Sequence, residues 1–272
     1  MVEKFIMAGD TALHICDSEV GEKTVVLLHG YLESMLVWEE FIPLIYKSVR
    51  VVALDIPGHG ISEVKGEVHT MDYLADVVAS ALKVLGIEKA YLVGHSMGSM
   101  VTSYFQTKYP EDTDKRTVYL APIVRTEKHQ KRSNRVAKLL IGVLNLMSGR
   151  RRYRLLKSKF VAFVISRYLT YDHARQKFID RQHFEHSGRF TSTKAVIGDI
   201  ELSMREQTTL EAPKTTLLCM GNHDRLSKVK NVQERMRGHK NISLVVLEGT
   251  GHLLNYEQPE KCAKTIRKFL NS

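Results

Sequence analysis

At 272 residues, 43 % of them hydrophobic and 26 % charged, the chain has the length and composition of one folded α/β core, which excludes a disordered, collagen-like or disulfide-stapled molecule. Its net charge of +10 invites nucleic acid or anionic membrane as a partner, but residues 122–194 hold 18 Lys and Arg against 4 Asp and Glu, and the rest of the chain carries −4. Those basic residues are interleaved with helix-period apolar ones and match no nucleic-acid-binding motif, so no nucleic-acid partner is expected.

The opening Phe5–Ala8 and Ala12–Cys16, joined at Gly9-Asp10, read as a hairpin at a sheet edge. Thr24–Leu28, Val51–Asp55, Tyr91–Val93 and Thr117–Leu120 are short, continuous apolar runs ended by turn residues, as strands buried on both faces should be. Residues 215–220 and 242–247 repeat the pattern. Helix-period spacing predicts helices near 70–86, 99–109 and 258–270. Strands alternating with helices imply right-handed crossovers and a mainly parallel sheet. Cys16, Cys219 and Cys262 have no CxxC spacing and are expected to be reduced and structural; no metal or cofactor is expected. Met1–Phe5 opens no apolar stretch of secretion-signal length, and the expected compartment is the cytoplasm.

In open α/β sheets the ligand site lies beyond the carboxyl ends of the strands. Gly94-His95-Ser96-Met97-Gly98 follows an apolar strand and opens a helix, fitting G-x-S-x-G. That spacing permits a turn so sharp that the serine hydroxyl stands clear at a helix N-terminus, where free N–H groups favour a developing anion. Ser99, one turn inside the helix, lacks that geometry. A serine needs a base to take its proton and a third group to orient the base. Asp224 follows one late strand and His252 follows the next, in a loop with Gly249 and Gly251. Asp224 is favoured as the acid over Glu127, which lies beyond the strand end at Ala121-Pro122, and over Asp55, which leads into Ile56-Pro57-Gly58-His59-Gly60 and reads as a hydrogen-bonded turn. The backbone N–H groups of Met97 and Tyr31 are the candidate oxyanion donors. His29 and His95 read as structural histidines, and His223 either lines the pocket or is exposed.

At these motifs the chain resembles the α/β-hydrolase superfamily. The resemblance runs through Leu27-Leu28-His29-Gly30-Tyr31, Asp55-x-Pro57-Gly58-x-Gly60-x-Ser62, the Ser96 motif, Gly221-x-x-Asp224 and Gly251-His252-x-x-x-x-Glu257-x-Pro259. It implies Ser96 as nucleophile, Asp224 as acid, His252 as base, and Tyr31 and Met97 as oxyanion-hole donors. A serine in the elbow departs from the aspartate of dehalogenases and epoxide hydrolases, and the loop after Leu28 is similar to that of cofactor-free haloperoxidases and small carboxylesterases. The implied fold is a mainly parallel sheet flanked by helices, with a core of residues 1–121 and 195–272 and a basic helical cap of residues 122–194. The implied activity is cleavage of an ester or related acyl bond of a small, partly apolar substrate. The alternatives are a thioesterase or carbon–carbon bond hydrolase with the same residues, a slow-turnover ligand receptor, and a basic membrane-associated scaffold. Within the cap, residues 136–147 form a helix apolar on nearly all sides, Arg150-Arg151-Arg152 follows, and 160–165 is a second apolar stretch. The favoured reading packs these helices on the core behind a solvated basic rim; the other is a greasy lid that admits acyl chains and whose basic edge attracts anionic substrates or a membrane surface.

Overall fold

A computed structural model describes residues 1–45, 49–65, 69–124, 127–181, 191–205 and 210–272. Among the described residues eight strands form one sheet: β1 (Val2–Ala8), β2 (Thr11–Asp17), β3 (Thr24–Leu28), β4 (Arg50–Leu54), β5 (Ala90–His95), β6 (Thr113–Leu120), β7 (Thr215–Gly221) and β8 (Ile242–Leu247). Their order is β1-β2-β4-β3-β5-β6-β7-β8. The β1/β2 hairpin turns at Gly9, whose φ of 64° suits glycine, and β2 pairs antiparallel with β4. All other pairs are parallel. Leu28 stands opposite both Leu54 and Gly94, and His95 opposite Leu120. The loops that follow β3, β4, β5 and β6 therefore emerge along one edge.

The helices are α1 (Ile42–Ile45), α2 (Met71–Val84), α3 (Met97–Lys108), α4 (Glu127–Leu146), α5 (Gly149–Leu156), α6 (Lys159–Leu169), α7 (Gln176–Arg181), α8 (Thr193–Arg205), α9 (Val229–Arg235), α10 (Leu254–Glu257) and α11 (Pro259–Leu270). Period-two alternation divides the core: Val25 and Leu27 face Trp38, Phe41 and Ile266 of α11, while Val26 and Leu28 face Leu74 and Val78 of α2 and Phe105 of α3. All five residues of β3 are buried, which is why it reads as an unbroken apolar run. Each such side chain contributes about 1.5–3 kcal/mol when fully buried. Thr70 caps α2 by accepting from the N–H of Tyr73 at 3.1 Å.

The structure departs from the sequence pattern at several ends. β6 begins at Thr113, and its first four residues include the polar Asp114, Lys115 and Arg116, which lie outside the apolar run. α3 starts directly after Ser96. α4 begins nine residues before position 136, in polar turns where the side chains of Gln130 and Asn134 donate to carbonyls of α8. Arg150–Arg152 lie within α5. The expected boundary at 194/195 falls inside α8.

Packing of the 136–147 stripe on the core is not what the structure shows. Leu144 is buried, but Val136, Leu139, Leu140, Val143 and Leu146 of α4 face outward, with Leu139 70 % and Leu146 90 % exposed. The inner face of α4 is held instead by the polar contacts of Gln130 and Asn134 with α8. No helix among the described residues is long and apolar enough to cross a membrane.

Candidate active site

Ser96 joins β5 to α3 with φ 51° and ψ −110°, a conformation that residues with side chains rarely adopt. The flanking glycines are required by contact. A Cβ on Gly94 would lie 2.2 Å from the carbonyl oxygen of Gly98, and one on Gly98 would lie 2.2 Å from that of Leu28. The turn is therefore tight, and it sets the Ser96 hydroxyl at the N-terminus of α3.

His252 Nε2 lies 2.9 Å from Ser96 Oγ, and His252 Nδ1 lies 2.8 Å from Asp224 Oδ2. The other oxygen of Asp224 accepts the N–H groups of Leu226 at 2.7 Å and Ser227 at 3.0 Å. Burial opposes ionisation of Asp224, but its interaction with His252 and these two donors outweigh it and hold the carboxyl below its ordinary range. An ionised Asp224 can only accept, so His252 carries its proton on Nδ1 and turns the Nε2 lone pair toward the serine hydroxyl. All three side chains are buried.

Two histidines behind the site take opposite protonation states. His29 Nε2 faces the N–H of Ile56 at 2.9 Å, an obligate donor, so this ring is neutral and its Nδ1 donates to the carbonyl of Gly30 at 2.8 Å. Burial lowers its pKa to about 4. His95 has acceptors on both sides, the Glu33 carboxylate at 2.8 Å from Nδ1 and the His252 carbonyl at 3.0 Å from Nε2. Both are satisfied only by an imidazolium. Burial works against that charge, but Glu33 prevails and the pKa of His95 is raised. Glu33 also accepts the N–H of Gly30 at 2.6 Å, so one carboxylate holds the loop after β3 and, through His95, the loop of His252.

Tyr31 and Met97 line the same cavity as Ser96. A Cβ on Gly30 would approach the Ser96 Cβ to 3.1 Å, so the loop carrying Tyr31 packs directly on the turn. Ser99 is fully buried and donates to the carbonyl of Gly94 at 2.7 Å. Asp55 accepts the N–H of Met35 at 2.7 Å and of Ile61 at 3.2 Å and pairs with His14 at 2.9 Å, all within its turn and the neighbouring strand and loop. The Glu127 side chain lies outside the described residues. His223 is exposed and stacks on Tyr171, ring centroids 3.6 Å apart.

The cavity has a volume of about 450 Å³, within the range of small-molecule sites. Ser96 and His252 line it together with Val164 and Ile165 of α6 and Ile200 and Leu202 of α8. No Lys or Arg is among the described residues lining it. Sequence reasoning assigned no role to Glu33, Glu257 or Asp199. Asp199 shares the buried stripe of α8 with Val196 and Leu202, and a carboxylate at an apolar position of a helix period was its signal. Glu257 stands in the Gly251-His252 motif and Glu33 in the loop after Leu28, but nothing in spacing reveals that the first meets Tyr171 and Asp172 and the second His95.

A family model described as the alpha/beta hydrolase family matches residues 25–265. The chain is 26 % identical over 278 residues to an uncharacterized hydrolase, YugF, of Bacillus subtilis (strain 168), covering 99 % of this chain and 97 % of that protein. It is 35 % identical over 104 residues to the bifunctional esterase/perhydrolase DCH of Acinetobacter calcoaceticus, covering 36 % of this chain and 38 % of that one. Among solved structures, a thermophilic esterase from Thermogutta terrifontis superposes with a TM-score of 0.78 at 22 % identity, covering 100 % of this chain and 98 % of that one.

Proposed function

This chain belongs to the alpha/beta hydrolase family, and from that premise we propose that it cleaves an ester of a small, uncharged, largely apolar acyl group through a serine acyl-enzyme. The observation that carries the reading is the continuous line from Ser96 Oγ through His252 to Asp224, at 2.9 and 2.8 Å, opening on the cavity. In this reading His252 Nε2 takes the Ser96 proton as Oγ attacks the carbonyl, and returns it to the departing alcohol oxygen. It then takes a proton from water as the water oxygen attacks the acyl carbon, and returns that proton to Ser96 Oγ as the bond from Oγ to the acyl carbon breaks and the acid leaves. Asp224 holds the tautomer and stabilises the imidazolium. The N–H groups of Tyr31 and Met97 receive the negative charge that develops on the carbonyl oxygen. Residues 122–194 serve as a cap whose Ile123, Val164, Ile165, Tyr168 and Leu169 supply wall to the cavity and exclude water.

An uncharged acyl group is favoured because no Lys or Arg is among the described lining residues, and the imidazolium there, His95, is already paired with Glu33. The likeness to the esterase/perhydrolase supports an ester as the bond cleaved. The test is hydrolysis of uncharged p-nitrophenyl esters together with labelling by a fluorophosphonate. Turnover with labelling at Ser96 alone, both lost in Ser96→Ala, is expected. Labelling without ester turnover would redirect the search to thioesters and carbon–carbon bonds. Labelling at Ser99 would remove the assignment.

A further inference from the structure

α4 and α6 turn the wrong faces outward. In a helix packed on a globular core the apolar stripe is inward. In α4 the residues Val136, Leu139, Leu140, Val143 and Leu146 recur at helix spacing and are all exposed. In α6 the same is true of Phe160, Phe163, Val164 and Tyr168, with Phe160 74 % exposed. Exposed apolar surface gathered in one segment marks a contact with something else.

Charge identifies that partner. From position 128 to 171 the chain carries 12 Lys and Arg and no Asp or Glu. Arg132, Arg135 and Lys138 on α4, Arg150, Arg151 and Arg154 on α5 and Arg167 on α6 are exposed. A second copy of this chain would bring the same positive charge against itself, at a cost in repulsion. Nucleic acid supplies the negative charge but no partner for an aliphatic stripe of valine and leucine. An anionic bilayer supplies both, hydrocarbon for the stripes and acidic headgroups for the arginines.

We propose that the outward faces of α4 and α6, with the arginines of α5 between them in the chain, form a docking surface for anionic phospholipid membranes. The contact is interfacial, since no described helix can span a bilayer. Its position bears on the reaction. Val164 and Tyr168 are both exposed and part of the cavity lining, so docking through α6 brings the cavity mouth to the lipid surface. Resting on the esterase reading above, the substrates so favoured are esters that partition into the bilayer.

The test is co-sedimentation of the full chain, as Ser96→Ala, with vesicles of phosphatidylcholine alone or with one-third phosphatidylglycerol. Binding to the anionic vesicles at low salt, weakening as salt rises and absent with phosphatidylcholine alone, is expected. Replacing Arg150, Arg151 and Arg154 by Gln should weaken it about a hundredfold, at the usual contribution of each basic residue near an acidic surface. Leu139→Gln with Val143→Gln and Phe160→Gln should weaken it as well, while hydrolysis of a water-soluble ester by the same variants on a Ser96 background stays unchanged. No binding to anionic vesicles, or binding indifferent to both sets of variants, overturns the proposal. So does concentration-dependent self-association in the absence of lipid that the same variants abolish, since the occupant is then a second copy. Because binding is read without Ser96 and hydrolysis without lipid, failure of either leaves the other reading standing.

Discussion

Asp199 and His59 face each other across 3.0 Å of buried space, the carboxylate on α8 and the imidazole on the loop after β4. His69, just before α2, lies 2.7 Å from the other oxygen of Asp199. The helix that lines the cavity is thus fastened to the core by charge as well as by apolar contact.

That pairing sets a pH window. Burial disfavours the charged form of His59, but Asp199 outweighs it and the pKa is raised above its ordinary 6.5. The stabilisation is full below 6.5 and fades as pH climbs through the raised value. For Asp199 burial is likewise outweighed, by His59 and His69, and its pKa is lowered from 3.8, so its contribution fades only as pH falls through the lowered value. Melting temperature should therefore decline on the alkaline side and again in acid. Asp199→Asn should flatten that profile and lower stability by about 3–5 kcal/mol, the usual cost of stranding one buried charge. Calorimetry of both proteins across pH checks it; an unchanged alkaline slope in the variant would show that the pair does not carry the effect.

Glu33→Gln should leave His95 with two acceptors and a single proton. The loss is expected at about 1–3 kcal/mol of stability, with reduced turnover because both the Gly30 loop and the His252 loop lose an anchor. Nitrogen NMR at neutral pH should find both His95 nitrogens protonated in the parent chain and one in the variant. A neutral His95 in the parent would refute the charge assignment.

Asp224→Asn and Asp55→Asn test the orienting role proposed for Asp224 against the turn-forming one read for Asp55. Asp224→Asn favours the unproductive tautomer of His252, and turnover should drop on the order of 10⁴, as in serine proteases that lose this group. Asp55→Asn replaces an acceptor of backbone N–H groups by an amide that can serve only some of them. It should lower melting temperature while sparing turnover per folded molecule. The reverse pattern in paired kinetics and melting curves would make Asp55 the functional acid.

The cavity also limits the acyl group. Catalytic efficiency for a series of straight-chain p-nitrophenyl esters should rise by up to about fourfold per CH₂, the equivalent of about 0.8 kcal/mol, and fall once the 450 Å³ cavity is full. A flat profile from acetate upward would place the acyl chain outside it.

Much of this arrangement was legible in the residues. Continuous apolar runs located β3, β4 and β7 because strands covered on both faces cannot alternate, and the glycines around Ser96 announced a turn that contact with Gly98 and Leu28 makes obligatory. The order Ser96, Asp224, His252 needed only the rule that chemistry gathers at the carboxyl edge. The orientation of α4 was not legible. Periodicity finds an apolar stripe but not its direction, and here Gln130 and Asn134 meet carbonyls of α8 while most of the stripe faces outward. Glu33 escaped for a related reason, since its meaning lies in Gly30 and His95, the latter 62 positions along the chain.

Glu257 gathers the N–H of Gly251 at 2.9 Å with one oxygen and those of Tyr171 and Asp172 at 2.9 and 2.8 Å with the other. Next to it, the N–H of His252 donates to the carbonyl of Leu169 at 2.8 Å. The segment leaving α6 is therefore built into the scaffold of the histidine loop. A chimera that exchanged the helices between β6 and β7 for those of a relative would have to keep residues 169–172 with this chain's own Glu257, or carry the donor's loop and its acid across together. Recombination breakpoints placed inside that clasp should yield folded proteins with a misplaced His252, whereas breakpoints on the α4 side of it leave that loop whole.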